Sequence, residues 1–160
     1  MIILLPLSMY IIQCMVSTNA SLRAYGIQAL ATRFSEFQHK LHGQLEPTRE
    51  HDFNPTEFKL SFEAYCNVAA LMCRDESAQI FTTLLEIFNG LVDCVEQVRA
   101  KEQLVNIGKQ LSTSAPAVST ILRHCLTQAA HDLPVIRIAC TNVIDRALSD
   151  EFLLGSQALL

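Results

Sequence analysis

Glycine and proline are scarce in this 160-residue chain, five of each, and charge is scarcer than usual. Only 18% of the residues are Asp, Glu, Lys or Arg, against about 25% in an average soluble domain. Five glycines scattered singly cannot build the backbone cradle that holds a nucleotide phosphate. No G-x-S-x-G, H-E-x-x-H or C-x-x-C occurs, so the nucleophile elbow, the zinc-protease helix and the paired-thiol site are all missing. A basic surface is lacking too. Residues 1–80 hold six Lys/Arg against eight Asp/Glu, residues 81–160 hold the same, and the formal net charge is −4. No face is set to release counterions from a nucleic-acid backbone, so direct DNA or RNA binding is not expected.

Apolar residues make up half of the chain, so more helix faces must be buried than in an ordinary surface-helix protein. The six cysteines (Cys14, Cys66, Cys73, Cys94, Cys125, Cys140) each lie in an apolar helical stretch, which reads as buried thiols acting as small hydrophobes. Met1 to Val16 is the most apolar run, and Thr18-Asn19-Ala20 resembles a small-residue cleavage site. No Lys or Arg precedes Arg23, so the basic start of a secretory signal is missing. Cleavage would also split the Asn19 sequon and leave five cysteines, an odd number for a secreted protein. The run is shorter than the ~20 residues that span a bilayer, and Pro6 interrupts it, so no transmembrane span is expected there.

Helical periodicity dominates, and no stretch alternates β-branched with polar residues. The pattern predicts helices at about Ile2 to Val16, Ser21 to Leu41, Thr56 to Arg74, Ala78 to Val98, Lys101 to Leu111, Ala117 to Ala130 and Pro134 to Leu148. A short one is expected between Ser149 and Leu160. Residues 42–55, with Gly43, Pro47, Asn54 and Pro55, form the one convincing loop. Phe58, Phe62, Tyr65, Cys66, Ala69 and Met72/Cys73 trace one apolar stripe. The Ala78 to Val98 segment is apolar on more than one side and is expected to be the most buried, with Gly90 allowing close backbone approach.

The second helices of the first and last hairpins match. Leu22-Arg23 is followed by Gly26, Ala29, Leu30 and Phe34; Ile136-Arg137 is followed by Cys140, Val143, Ile144 and Leu148. Both series fall at +3, +6, +7 and +11 from the arginine. Here the chain resembles the HEAT repeat family, whose repeats place a Pro early in the first helix, an Asp or Asn in the turn and a Val-Arg pair opening the second helix. Pro6, Asn19 and Leu22-Arg23 fill these roles in the first copy, and Pro116, Asp132 and Ile136-Arg137 in the last. The two arginines are 114 residues apart, three intervals of 38, which fits about four units of such an array. The likeness covers about residues 4–34 and 116–148; after Val98-Arg99, Glu102 and Asn106 stand where small or aliphatic residues belong.

The resemblance implies an all-α fold of stacked antiparallel helix hairpins, a HEAT/armadillo-like right-handed α-solenoid segment forming a single domain over residues 1–160. It implies that Arg23 and Arg137 set the repeat register by pairing with turn residues such as Asn19 and Asp132. A non-catalytic scaffold in the cytoplasm or nucleus is then expected, taking a peptide or helix on a concave face that includes Gln28, Arg33, Asn142 and Arg146. Both ends are apolar, the second ending in Phe152-Leu153-Leu154 and Ala158-Leu159-Leu160, so adjoining repeats of a longer solenoid are the other expected partners.

No metal, cofactor or catalytic residue is expected. His39 and His42 are three apart and His51-Asp52 follows, but a solvated helix end and polar loop accounts for them. His124 and Cys125 are sequence neighbours, which on a helix face about 100° apart rather than toward each other. The alternative is a secreted helical-bundle ligand or effector with residues 1–20 removed as a signal peptide.

Overall fold

Asparagine, serine and proline mark where the helices begin. In a computed structural model that describes residues 9–46, 53–100 and 115–149, these starts open four of six helices. The fold is all-α, with no strand among the described residues. The expected segments 1–8, 47–52, 101–114 and 150–160, including Pro6, Pro47, His51-Asp52 and the Lys101 to Leu111 helix, lie outside the described residues.

Helix α1 is Met9–Met15. The Asn19 side chain caps α2, Ala20–Gln44, by accepting from the Ser21 and Leu22 N–H groups at 2.9 and 3.3 Å. Asn54 does the same for α3, Pro55–Met72, at 3.0 and 3.1 Å from the Thr56 and Glu57 nitrogens. Pro55 takes the first helical position, where its missing N–H is no loss. Ser77 caps α4, Ala78–Arg99. Helix α5 is Ala115–Gln128, and Pro134 opens α6, Pro134–Ser149. Such caps satisfy backbone donors that have no partner within the helix.

Among the described residues one expected helix boundary is off by more than two residues. Helix α2 runs through His42 and Gly43 to Gln44, three residues past the expected end at Leu41. Leu41 and Leu45, both buried, continue the inward stripe across that point, and burial of this stripe outweighs the ~1 kcal/mol that glycine costs a helix relative to alanine.

Each hairpin packs first helix on second: α1 on α2, α3 on α4, α5 on α6. Between hairpins like packs on like, with α2 on α4, α4 on α6 and α3 on α5. Helix α4 therefore meets three neighbours, and twelve of its 22 residues are buried. It is also long and apolar enough to cross a membrane by length and composition, and 61% of its apolar window is buried within the fold. A core helix meets the same test.

Two glycines set how closely helices cross. A Cβ on Gly26 would lie 2.7 Å from Met15 Cγ, where α1 folds back on α2. A Cβ on Gly90 would lie 2.9 Å from Phe34 Cε1, so α2 and α4 approach here as the sequence pattern anticipated. The stripe on α3 from Phe58 to Cys73 is buried throughout.

Candidate functional site: two arginine clamps and an aromatic cavity

The inter-helix turns are where the sequence placed its register residues. Arg23 Nη1 donates to the carbonyls of Ser17 and Thr18, both at 3.1 Å. Arg137 Nη1 donates to the carbonyls of His131 and Asp132, both at 2.9 Å. The acceptors stand six and five residues before the arginine in both cases, so each side chain folds back over its own turn and supplies donors to carbonyls that no helix partner reaches.

Beyond the turn the two arginines part. Arg23 Nε makes a 2.8 Å ion pair with Asp75 Oδ2 in the α3–α4 turn, where the Asp75 side chain is only 5% exposed. Asp75 Oδ1 accepts from Ser77 N–H at 2.9 Å, so one carboxylate ties its own turn and the neighbouring hairpin together. Among the described residues no carboxylate pairs with Arg137. The Asn19 and Asp132 side chains are not the acceptors: Asn19 Oδ1 is held by the α2 N-terminus, and Asp132 contributes its carbonyl.

Four residues were expected to form an interaction surface. Gln28 and Arg33 on α2 and Asn142 on α6 are exposed. Arg33 lies 4.0 Å from Glu36. Arg146 instead reaches across to α4, donating to the Asn89 carbonyl at 3.1 Å and pairing with Asp93 and with Glu96 at 3.1 Å. Burial opposes its charge, and the two carboxylates outweigh that, so its pKa is raised. It fastens α4 to α6.

A feature the sequence reading did not find lies between the C-terminal half of α2 and the start of α3. Phe34, Phe37, Phe58 and Tyr65 form a run of ring contacts 5.1–6.1 Å between centroids, extended by Phe53 and Phe62. Beside it is a cavity of about 230 Å³. Leu41, Phe58, Ser61 and Tyr65, all buried, form its floor, and the partly exposed Phe37 its wall. Arg33, Glu36, Lys40 and Glu57 stand at the rim, where Lys40 pairs with Glu57 at 3.1 Å. Among the described residues no group hydrogen-bonds the buried Tyr65 hydroxyl. Burial raises its pKa well above the ordinary tyrosine value; Arg33 pulls it back and Glu36 adds to the rise. The sequence signal was Phe34, Phe37, Phe58, Phe62 and Tyr65 at helical spacing on two flanks of one loop.

The thiols are all free and buried. Burial pushes Cys94 up to about 12 and raises Cys66, Cys73, Cys125 and Cys140 likewise. With their pKa values raised, these five are neutral thiols at physiological pH, the form that is a poor nucleophile. His124 packs edge-on against Phe81, 5.5 Å between centroids, and burial followed by the Arg74 charge lowers its pKa. Among the described residues no three His, Cys, Asp or Glu side chains converge to hold a metal ion. Compared with protein-family models, with curated proteins and with solved structures, the chain matches none.

Proposed function

We propose that this chain is a non-catalytic protein–protein interaction scaffold, a short HEAT/armadillo-like right-handed α-solenoid segment of a larger repeat protein or complex subunit, acting in the cytoplasm or nucleus. The matched arginine clamp carries the reading. Two turns 114 residues apart use the same donor on carbonyls at the same offsets, as expected of one unit repeated. Packing of second helix on second helix supports it, because each hairpin in such an array buries its apolar faces against its neighbours.

The outer hairpins suit adjoining repeats as partners. Met9, Tyr10 and Tyr25 are exposed on the first, and Leu133, Val135 and Ile138 on the last, and clustered apolar exposure of this kind marks interaction surfaces. A peptide or helix would lie along the row of second helices over Gln28, Arg33 and Asn142. Arg146 then acts as the fastener beneath. Hydrogen–deuterium exchange of the chain with a binding helical peptide tests this. Added protection along α2, α4 and α6 is expected, and protection confined to other elements would overturn the reading.

The alternative, secretion after loss of residues 1–20, draws on the small residues Thr18-Asn19-Ala20. Against it stands the packing of α1, whose Ile11, Cys14 and Met15 are buried and whose fit requires Gly26. Mass spectrometry of the native N-terminus separates the two: Met1 or Ile2 supports the scaffold, and Ser21 supports secretion.

A further inference from the structure

We propose that the cavity between the α3–α4 and α5–α6 turns is a socket for the guanidinium of an arginine side chain presented by a protein partner. The proposal deepens the scaffold reading and rests on it for the source of that arginine. Of the three described hairpin turns, the α3–α4 turn is the one without a clamping arginine of its own.

The three turns are built alike. Ser17, Asp75 and His131 each donate their N–H to the carbonyl three residues back, at 3.3, 3.1 and 3.0 Å. The side chains of the same three residues accept the N–H two residues on, at 3.1, 2.9 and 3.0 Å. Arg23, Phe81 and Arg137 hold the fourth position of α2, α4 and α6, and their N–H groups bond the carbonyls of Asn19, Ser77 and Leu133. Phe81 therefore stands where the other two hairpins carry the clamp.

Each clamping arginine serves the carbonyls six and five residues before it. Before Phe81 these belong to Asp75 and Glu76, and among the described residues no donor reaches either one. Asp75, Glu76 and Phe81 line one side of a cavity of about 230 Å³, and His124, Gln128 and His131 of the last hairpin line the other. A phenyl ring has no N–H to give, so acceptors that an arginine serves in the two matching turns are left to a group from outside. The exposed Glu76 carboxylate pairs with no cation among the described residues and offsets the Arg74 charge at the rim. Asp75 is already balanced by Arg23. A guanidinium, with five donors in a planar fork, can serve carbonyls and a carboxylate together, which suits it better than an ammonium.

The test uses the full chain and N-acetyl-argininamide, N-acetyl-lysinamide, N-acetyl-citrullinamide, free arginine and inorganic phosphate, each titrated by NMR. Saturable shifts of the Asp75, Glu76, Ser77 and Phe81 amides are expected with the arginine amide. The lysine amide and the uncharged citrulline isostere should each bind at least about threefold more weakly. Glu76→Gln, at an exposed position, should weaken the arginine amide by about threefold and leave Tm unchanged. Phe81→Arg supplies the clamp from the chain itself and should abolish the shifts; if it does not fold by circular dichroism, Glu76→Gln carries the test. Equal binding of the arginine and citrulline amides, or no saturable shift at this cavity, would overturn the proposal. So would a folded Phe81→Arg that still binds, or shifts from phosphate with the arginine amide silent, which would mean an anion site at Arg74. Binding of free arginine with the amide excluded would also overturn it, since the ligand would then be a small molecule rather than a partner's side chain. None of these outcomes touches the scaffold reading, which stands or falls on the exchange experiment with the helical row.

Discussion

Arg23 and Arg137 make the same two bonds to their own turns, yet among the described residues only Arg23 reaches a carboxylate on another hairpin. The local clamp belongs to the hairpin and needs nothing beyond it. The cross-tie needs a following turn with an acid in the right place, which Asp75 supplies. The difference separates what one unit carries by itself from what two units make together.

Substitutions sharpen that separation. Arg23→Ala leaves the Asp75 carboxylate nearly buried and without its ion-pair partner. The expected loss is about 2–3 kcal/mol, below the ~3–5 kcal/mol for a fully buried pair because the Arg23 side chain keeps 22% exposure. Arg137→Ala removes, among the described residues, only the two turn bonds and should cost about 1 kcal/mol. Urea denaturation of both variants, with an Arg23/Asp75 double-mutant cycle, checks the contrast; equal losses would erase it. Asp132→Ala should change stability by less than ~0.5 kcal/mol, since the acceptor there is a backbone carbonyl.

The glycines allow a parallel contrast. Gly90→Ala drives a methyl group into Phe34 and Gln38, and overpacking of ~1–3 kcal/mol should exceed the helix-propensity gain. Gly43→Ala meets no atom within 4 Å and should stabilise α2 by about 0.5–1 kcal/mol. Thermal unfolding of the pair should therefore give Tm shifts of opposite sign.

The smallest effect is expected from pH. His124 has a folded pKa below its ordinary 6.5, so the unfolded chain takes up this proton first as pH falls. Its contribution is full above about 6.5 and is lost as pH drops through that value toward the depressed folded pKa. His124→Gln should flatten the stability profile in that window, and an unchanged slope would assign it to other groups.

Much of the fold was legible because local chemistry dictated it. Asn19, Asn54 and Pro134 announced their helices, and the apolar stripe on α3 announced its buried face. Arg23 and Arg137 stood out because their roles are mostly local, within six residues of sequence. What was hidden depends on contacts between distant segments. The end of α2 was misplaced because His42-Gly43 looks like a break unless Leu41 and Leu45 are known to be buried together. Arg146 looked like a surface residue because Asp93 and Glu96 are about fifty residues away and no spacing rule links them. The cavity escaped notice for the same reason, since its floor joins Leu41 on one helix to Phe58, Ser61 and Tyr65 on another.

The Arg23–Asp75 tie also orders events while the chain is being made. Asp75 follows Arg23 by 52 residues, so a ribosome working at about 5–20 residues per second leaves the first hairpin untied for about 3–10 s. Through that interval the face of α2 bearing Leu30 and Phe34 has no α4 to cover it. Burial of Leu30 and Phe34 is therefore completed only after α4 has been made.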